Sequence, residues 1–327
     1  MLGYVDTAGE RLRLECDLGW VEDLLLEGAA GEFLRRDPAD ATLTVRVERS
    51  HHAFDTRGWR PLTRGAWERD GHVVVENACT AGFDLLLSAT PEHAEFTYRW
   101  RPPRRDRTAA LVLRSRFHLL ARAVLEQYPA LWWAGTRRRA PLHASACLAG
   151  DSTPLLTGPS GAGRSTVILE LMAAGGRATG DNLAVSDGTA VWGLVEPLRI
   201  TGGDGRRMPH GRREAPMVGR PHRLVPDSVI VLRRGLDERP SLVPCEPDAA
   251  VRALVTSTYM AGELRRFWPF AATLSAATGR GPVHPPMIDV AAALVARLPC
   301  FELVLARRPG TQLAELLSSR DEVEVVT

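Results

Sequence analysis

Gly158 to Ser165 reads G-P-S-G-A-G-R-S, which has the residue types and the spacing to hold a phosphate group. It follows the pattern G-x-x-x-x-G-K-[ST], with arginine in the lysine position. Gly158, Gly161 and Gly163 let the backbone turn so that successive N–H groups, those of Ser160 and Ala162 among them, point at one anion. A helix beginning near Gly163 adds its positive N-terminal end to the same place. Ser165, followed by Thr166, is set to offer a hydroxyl to a magnesium ion. Together these residues predict a nucleotide-phosphate site. The alternative is a glycine-rich turn with no ligand.

Arg164 changes the chemistry. Lysine would present a compact ammonium to the β- and γ-phosphates, whereas arginine brings a planar fork, so the exchange is not conservative at a phosphoryl-transfer centre. The chain contains no lysine at all, and its 41 basic residues are all arginine. Arg164 therefore also fits a general drift of composition.

The elements needed to position such a loop are present. Pro154 to Thr157 reads as a short apolar strand leading in, and Thr166 to Ala174 as a helix stopped by Gly175-Gly176. Leu142 to Leu148 predicts a further strand, carrying His143. Arg177 to Ser186 predicts a strand interrupted at Gly180-Asp181-Asn182, and Asp187-Gly188 turns it into Ala190 to Val195. Val229 to Arg233 and Phe301 to Ala306 read as strands. Helices are expected over Asp248 to Met260, Glu263 to Thr278 with a break at Pro269, and Pro286 to Leu298. Gly202 to Arg223, dense in glycine, arginine and proline, reads as a mobile loop.

Residues 1 to about 105 look β-rich, with strands at Thr42 to Glu48, His72 to Glu76, Phe83 to Ser88 and Ala94 to Trp100, and one helix from Trp20 to Glu27. His51-His52 falls in a loop and has no ligand spacing. Arg101 to Arg107 reads as a linker, and Leu111 to Tyr128 as a helix ended by Pro129. The rhythm then changes to strands alternating with helices. This places a β-rich N-terminal domain with a connecting helix at 1–135 and a nucleotide-binding domain at 136–327.

Composition bounds the class. Over 327 residues, 45% hydrophobic and 24% charged content is globular, and a net charge of +2 makes no general case for nucleic acid. Five scattered cysteines without a C-x-x-C pair fit reduced thiols in a cytoplasmic protein. No secretion signal and no membrane-length apolar run is expected.

Four features occur in order: Leu142-His143-Ala144, the loop at 158–165, Gly180-Asp181-Asn182, and the Gly/Arg-rich segment. Over about 140–305 this order resembles the HPr kinase/phosphorylase family, and most closely the shorter HPr-kinase-like proteins found with ribosomally made, modified peptides such as lasso peptides. The resemblance implies an α/β core related to phosphoenolpyruvate carboxykinase, with ATP and Mg²⁺ as cofactors. It implies that Asp181 takes the proton of a substrate serine hydroxyl and that Arg164 and His143 act beside the phosphates. It implies a metal held by Ser165 and, on looser grounds, Glu196. A second family aspartate falls on Asn182, so one carboxylate is missing. The partners implied are a small protein or precursor peptide, peptide-tailoring enzymes, and further copies of the chain. For Asp181 the alternative is a turn aspartate bonding its own backbone, and for His143 a satisfied strand histidine.

Two functions compete. One is an ATP-dependent serine kinase. The other is a catalytically degenerate descendant that recognises a precursor peptide for partner enzymes, for which an exposed strand edge would serve. A small-molecule kinase is a weaker third.

Overall fold

A computed structural model describes residues 1–200, 206–208, 211–280, 282–307 and 313–317. The protein is mixed α/β, and among the described residues its strands form two large sheets and two small ones.

The sheet that carries the loop runs, edge to edge, Arg177–Ala178, Ala144–Leu148, Pro154–Thr157, Ser228–Arg234, Cys300–Leu305, Ser241–Pro244. Pro154–Thr157, Ser228–Arg234 and Cys300–Leu305 are parallel to one another, and the flanking strands are antiparallel. Leu155-Leu156 and Val229 to Leu232 are apolar without a break because both faces of the sheet are covered there. Leu156, Ile230 and Leu303 point to the side of the helix Arg164–Ala173, against Val167 and Ile168. Leu155 and Val229 point the other way, against Leu254 and Leu294 of the helices Pro247–Tyr259 and Met287–Val295. The glycine loop leaves the C-terminal end of its strand, the edge of an α/β sheet where ligands bind.

The other large sheet has eight strands, Leu2–Thr7, Glu10–Cys16, Leu43–Glu48, Ala94–Trp100, Phe83–Ala89, His72–Val75, Ala66–Arg69 and Arg60–Thr63 in spatial order. Its apolar cluster reaches across to Trp132 and Trp133, to Leu183 and Val195, and to Phe267 and Leu274.

Three expectations need correction. Residues 104–107 are not linker; they open the helix Arg104–Val112. Pro129 does not end a helix either, since Tyr128–Thr136 runs through it. A wide π turn at Ala123–Gln127 precedes it, making room for the ring that would otherwise strike an upstream carbonyl. The break expected at Pro269 lies before it, at Arg265 and Arg266, and Pro269 sits in the first turn of Phe267–Thr278, where its missing N–H has no partner to lose.

The Gly202–Arg223 stretch is also not a plain excursion. Its residues 202–205 and 209–210 lie outside the described residues. The rest contributes Arg206–Arg207 and Arg213–Ala215, which pair together beside Leu198–Ile200. Met208 and Met217 are buried. Arg220 is buried and donates to the carbonyls of Thr179 (3.1 Å), Gly193 (3.4 Å) and Asp6.

Gly193 and Gly180 set the spacing behind the site. A Cβ on Gly193 would stand 1.8 Å from the Thr179 carbonyl oxygen, and one on Gly180 2.9 Å from that of Leu194. Backbone touches backbone there, which is how the 179–182 turn is held. Gly193→Ala is expected to cost roughly 2–3 kcal/mol by overpacking, read as a lower denaturation midpoint. An unchanged midpoint would show that the turn is not pinned in this way.

Candidate functional site

Three glycines shape the loop, for two different reasons. Gly158 and Gly163 have φ of 154° and 118°, and a Cβ on them would strike the Leu232 carbonyl (2.8 Å) or Leu305 Cδ1 (2.6 Å). Gly161, φ 84°, faces open space, so only its left-handed conformation demands glycine. The Ala162 N–H closes a turn onto the Pro159 carbonyl (3.0 Å). The N–H groups of Ser160, Gly161, Gly163, Arg164 and Ser165 donate to no acceptor among the described residues. Pro159, Ser160 and Gly161 are exposed, while Ser165 is 9% exposed and Thr166 faces outward. Arg234 reaches back from its strand to donate to the Gly161 carbonyl (2.7 Å), which places a cation at the loop.

Arg164 does not reach over this cradle. Its guanidinium turns inward and is buried. Nε donates to the Asp181 carbonyl (3.0 Å), Nη1 to the His143 carbonyl (2.9 Å), and Nη2 to Asn182 Oδ1 (3.1 Å) and His143 Nε2 (2.7 Å). Arginine has no acceptor, so Nε2 accepts here and the ring proton sits on Nδ1. Burial, reinforced by the adjacent guanidinium, pushes the His143 imidazole down to about 3. It is a neutral ring near pH 7, held by its backbone N–H to Thr258 Oγ1 (2.9 Å).

Behind the loop, Arg164 thus gathers His143, Asp181 and Asn182. Asp181 is fully buried; its Oδ2 accepts the Arg199 N–H (3.0 Å), and its Oδ1 has no partner. Glu196 spends Oε1 on the N–H groups of Asn182 (2.7 Å) and Leu183 (2.9 Å). Its Oε2 has no hydrogen bond and lies 3.9 Å from Arg199 Nη2. Burial, with Asp181 adding to it and Arg199 opposing, raises Glu196 to about 7. Arg199 also pairs with Glu263. Burial works against the Arg199 charge, but Glu196 and Glu263 more than offset it, so its pKa rises.

Ser160, Gly161, Glu196 and Arg199 line a cavity of about 900 Å³ together with Arg122, Glu126 and Glu214. Asp181, His143 and Arg164 sit behind the lining. Among the described residues, no three His, Cys, Asp or Glu side chains converge as a ready-made metal centre. Magnesium asks for less, since it keeps several waters and takes one or two carboxylates. The idle oxygen of Glu196, the Ser165 hydroxyl and the five uncommitted N–H groups are of the chemistry that a hydrated magnesium ion and a nucleotide phosphate take.

Arg199, Glu263, Arg122 and Glu126 were not singled out from the sequence. The only signal was Arg199 three residues after Glu196. Glu263, Arg122 and Glu126 lie on distant helical segments, and nothing in their spacing announces the cavity.

Glu126 gives a pH test. Burial raises its carboxyl from 4.5 to about 8, so the folded chain holds a proton that the unfolded chain has released. Stability therefore falls as pH rises through that window. Glu126→Gln is expected to raise the thermal midpoint relative to the parent at about pH 9 and to leave it nearly unchanged at about pH 4. The same offset at both pH values would mean that Glu126 does not titrate this way.

No helix among the described residues is long and apolar enough to cross a membrane. No protein-family model matches the chain, and no curated protein matches it.

Proposed function

We propose that this chain is an HPr-kinase-like protein that binds the phosphates of ATP at Gly158–Ser165 and phosphorylates a serine of a small protein or precursor peptide. The observation that carries the reading is the set of N–H groups at Ser160, Gly161, Gly163, Arg164 and Ser165, uncommitted around a glycine turn at a helix start and next to a large cavity. The antiparallel neighbour of the loop strand supports a phosphoenolpyruvate-carboxykinase-like core over an all-parallel one.

ATP would supply the phosphoryl group, and magnesium would neutralise charge on it. Ser165 and Glu196 are the residues that would hold the ion. Asp181 Oδ1, with no other partner, accepts the proton of the acceptor hydroxyl. The Arg199 N–H on Oδ2 orients that carboxylate. Arg164 acts as a positioning residue, holding Asp181 and Asn182 from behind by their carbonyls. Phosphoryl transfer asks mainly for this kind of placement.

The saturated guanidinium of Arg164 favours a second reading, a nucleotide-binding recognition protein without turnover, because nearly all its N–H capacity is spent internally. Incubation with γ-labelled ATP and peptides encoded beside the gene separates the two. Label on serine supports the kinase. Nucleotide affinity without label on any peptide selects the recognition protein, and no nucleotide affinity ends both.

A further inference from the structure

We propose that the cavity beside the glycine loop is the docking groove for the acceptor polypeptide, and that it selects a segment in which acidic residues flank apolar ones. The assignment to an acceptor rests on the phosphotransfer reading; the groove's preference for such a segment does not.

The chemistry is written in the lining. Seven arginines and five carboxyl groups face the cavity, and burial pushes two of those carboxyls, Glu126 and Glu196, toward the neutral form. Glu214 is taken up by Arg122 and Glu263 by Arg199. Around the mouth, Arg105, Arg116, Arg265 and Arg266 are exposed. Arg105 has only a loose contact with Asp106 (3.6 Å). Arg266 holds the carbonyl of Cys79 (2.7 Å). The rim therefore carries a net positive charge that a guest can answer.

Between these cations the wall is apolar. Leu113, Phe117 and Leu120 line it, and Leu113 continues an exposed apolar run whose other members lie outside the lining: Leu111 at 79%, Val112 at 75% and Leu113 at 48% exposed. Such a run on a surface is an error of design unless something covers it. Arg122 and Glu126 also belong to the lining, but their unpartnered atoms, Nη1 and Oε1, are buried and closed to a guest. The π turn at Ala123–Gln127 puts Glu126 there, the kind of irregularity that accompanies functional sites.

Shape selects a peptide over a membrane surface. Leu113, Phe117 and Leu120 share the lining of this cavity with Ser160 and Gly161, a concave surface that a bilayer cannot follow but an extended chain can. A chain seated there passes the loop, which is where its serine must be.

The test uses the full chain and a fluorophore-labelled peptide, Asp-Leu-Glu-Leu-Ser-Phe-Glu, followed by anisotropy. Tighter binding than of the peptide with Asn and Gln for its acids is expected. The double variant Arg116→Glu, Arg265→Glu is expected to weaken that binding about tenfold while erasing the preference. Matching thermal midpoints show that the variant is folded. If they differ, Leu113→Ser serves instead, expected to weaken the acidic peptide severalfold. Equal affinity for acidic and carboxamide peptides, or variants that bind like the parent, overturns the groove. So does binding to phosphatidylglycerol vesicles in place of either peptide. Peptide binding in a chain with no affinity for ATP leaves the groove and removes the phosphotransfer reading; the reverse result removes the groove alone.

Discussion

Arg164→Ala is expected to be among the most damaging single substitutions in the chain, lowering stability by roughly 3–5 kcal/mol. The loss has two parts. The Asp181 carbonyl and the side-chain oxygen of Asn182 would be left buried without their donor, each at a cost of about 1–3 kcal/mol, and the His143 carbonyl would keep only the longer bond from Thr157 Oγ1 (3.4 Å). The region would also lose a cation that offsets the charges of Asp181, Glu196 and Glu263. Domains of ordinary stability have only about 5–15 kcal/mol to lose. Arg164→Lys keeps the charge but cannot reach several acceptors with one ammonium, so an intermediate loss is expected. Urea denaturation of both variants decides it. If the alanine variant unfolds within about 1 kcal/mol of the parent, the side chain points to solvent and the inward placement is wrong.

The second large effect is on turnover. Asp181→Asn retains an oxygen for the Arg199 N–H but cannot take up a proton. With an accepted peptide, the kinase reading expects kcat to fall roughly 10²–10⁴-fold, with nucleotide affinity changing little because the loop N–H groups are untouched. Proton removal is then assigned to Asp181. Retained kcat would move the role to another group, and Glu196, raised to about 7 and lining the cavity, would be next.

Much of this was legible in the chain, and the failures have physical causes. The loop and its two flanking elements follow from glycine spacing and an unbroken apolar run, and they fall where the residues place them. Asp181 and Asn182 could be found as a strand interruption. That Arg164 would turn inward could not, because the acceptors that capture it are mostly backbone carbonyls, which have no sequence signature. The N-terminal hairpin was passed over. Its Glu10–Cys16 strand alternates buried and half-buried residues without a break, but its turn is Ala8-Gly9, both at positive φ, and lacks the Asn or Asp that usually marks one. Pro129 misled in the opposite direction, since the π turn that accommodates it is a property of the assembled helix.

The pairing pattern of the loop sheet has a kinetic consequence. Leu156 must find Ile230, and Ile230 must find Phe301, with a long intervening chain to be closed each time. Partners so distant in sequence form late, since loop entropy is lost before any contact repays it. The apolar middle strands thus stay uncovered through much of refolding, and yield after dilution from denaturant should drop steeply as protein concentration rises.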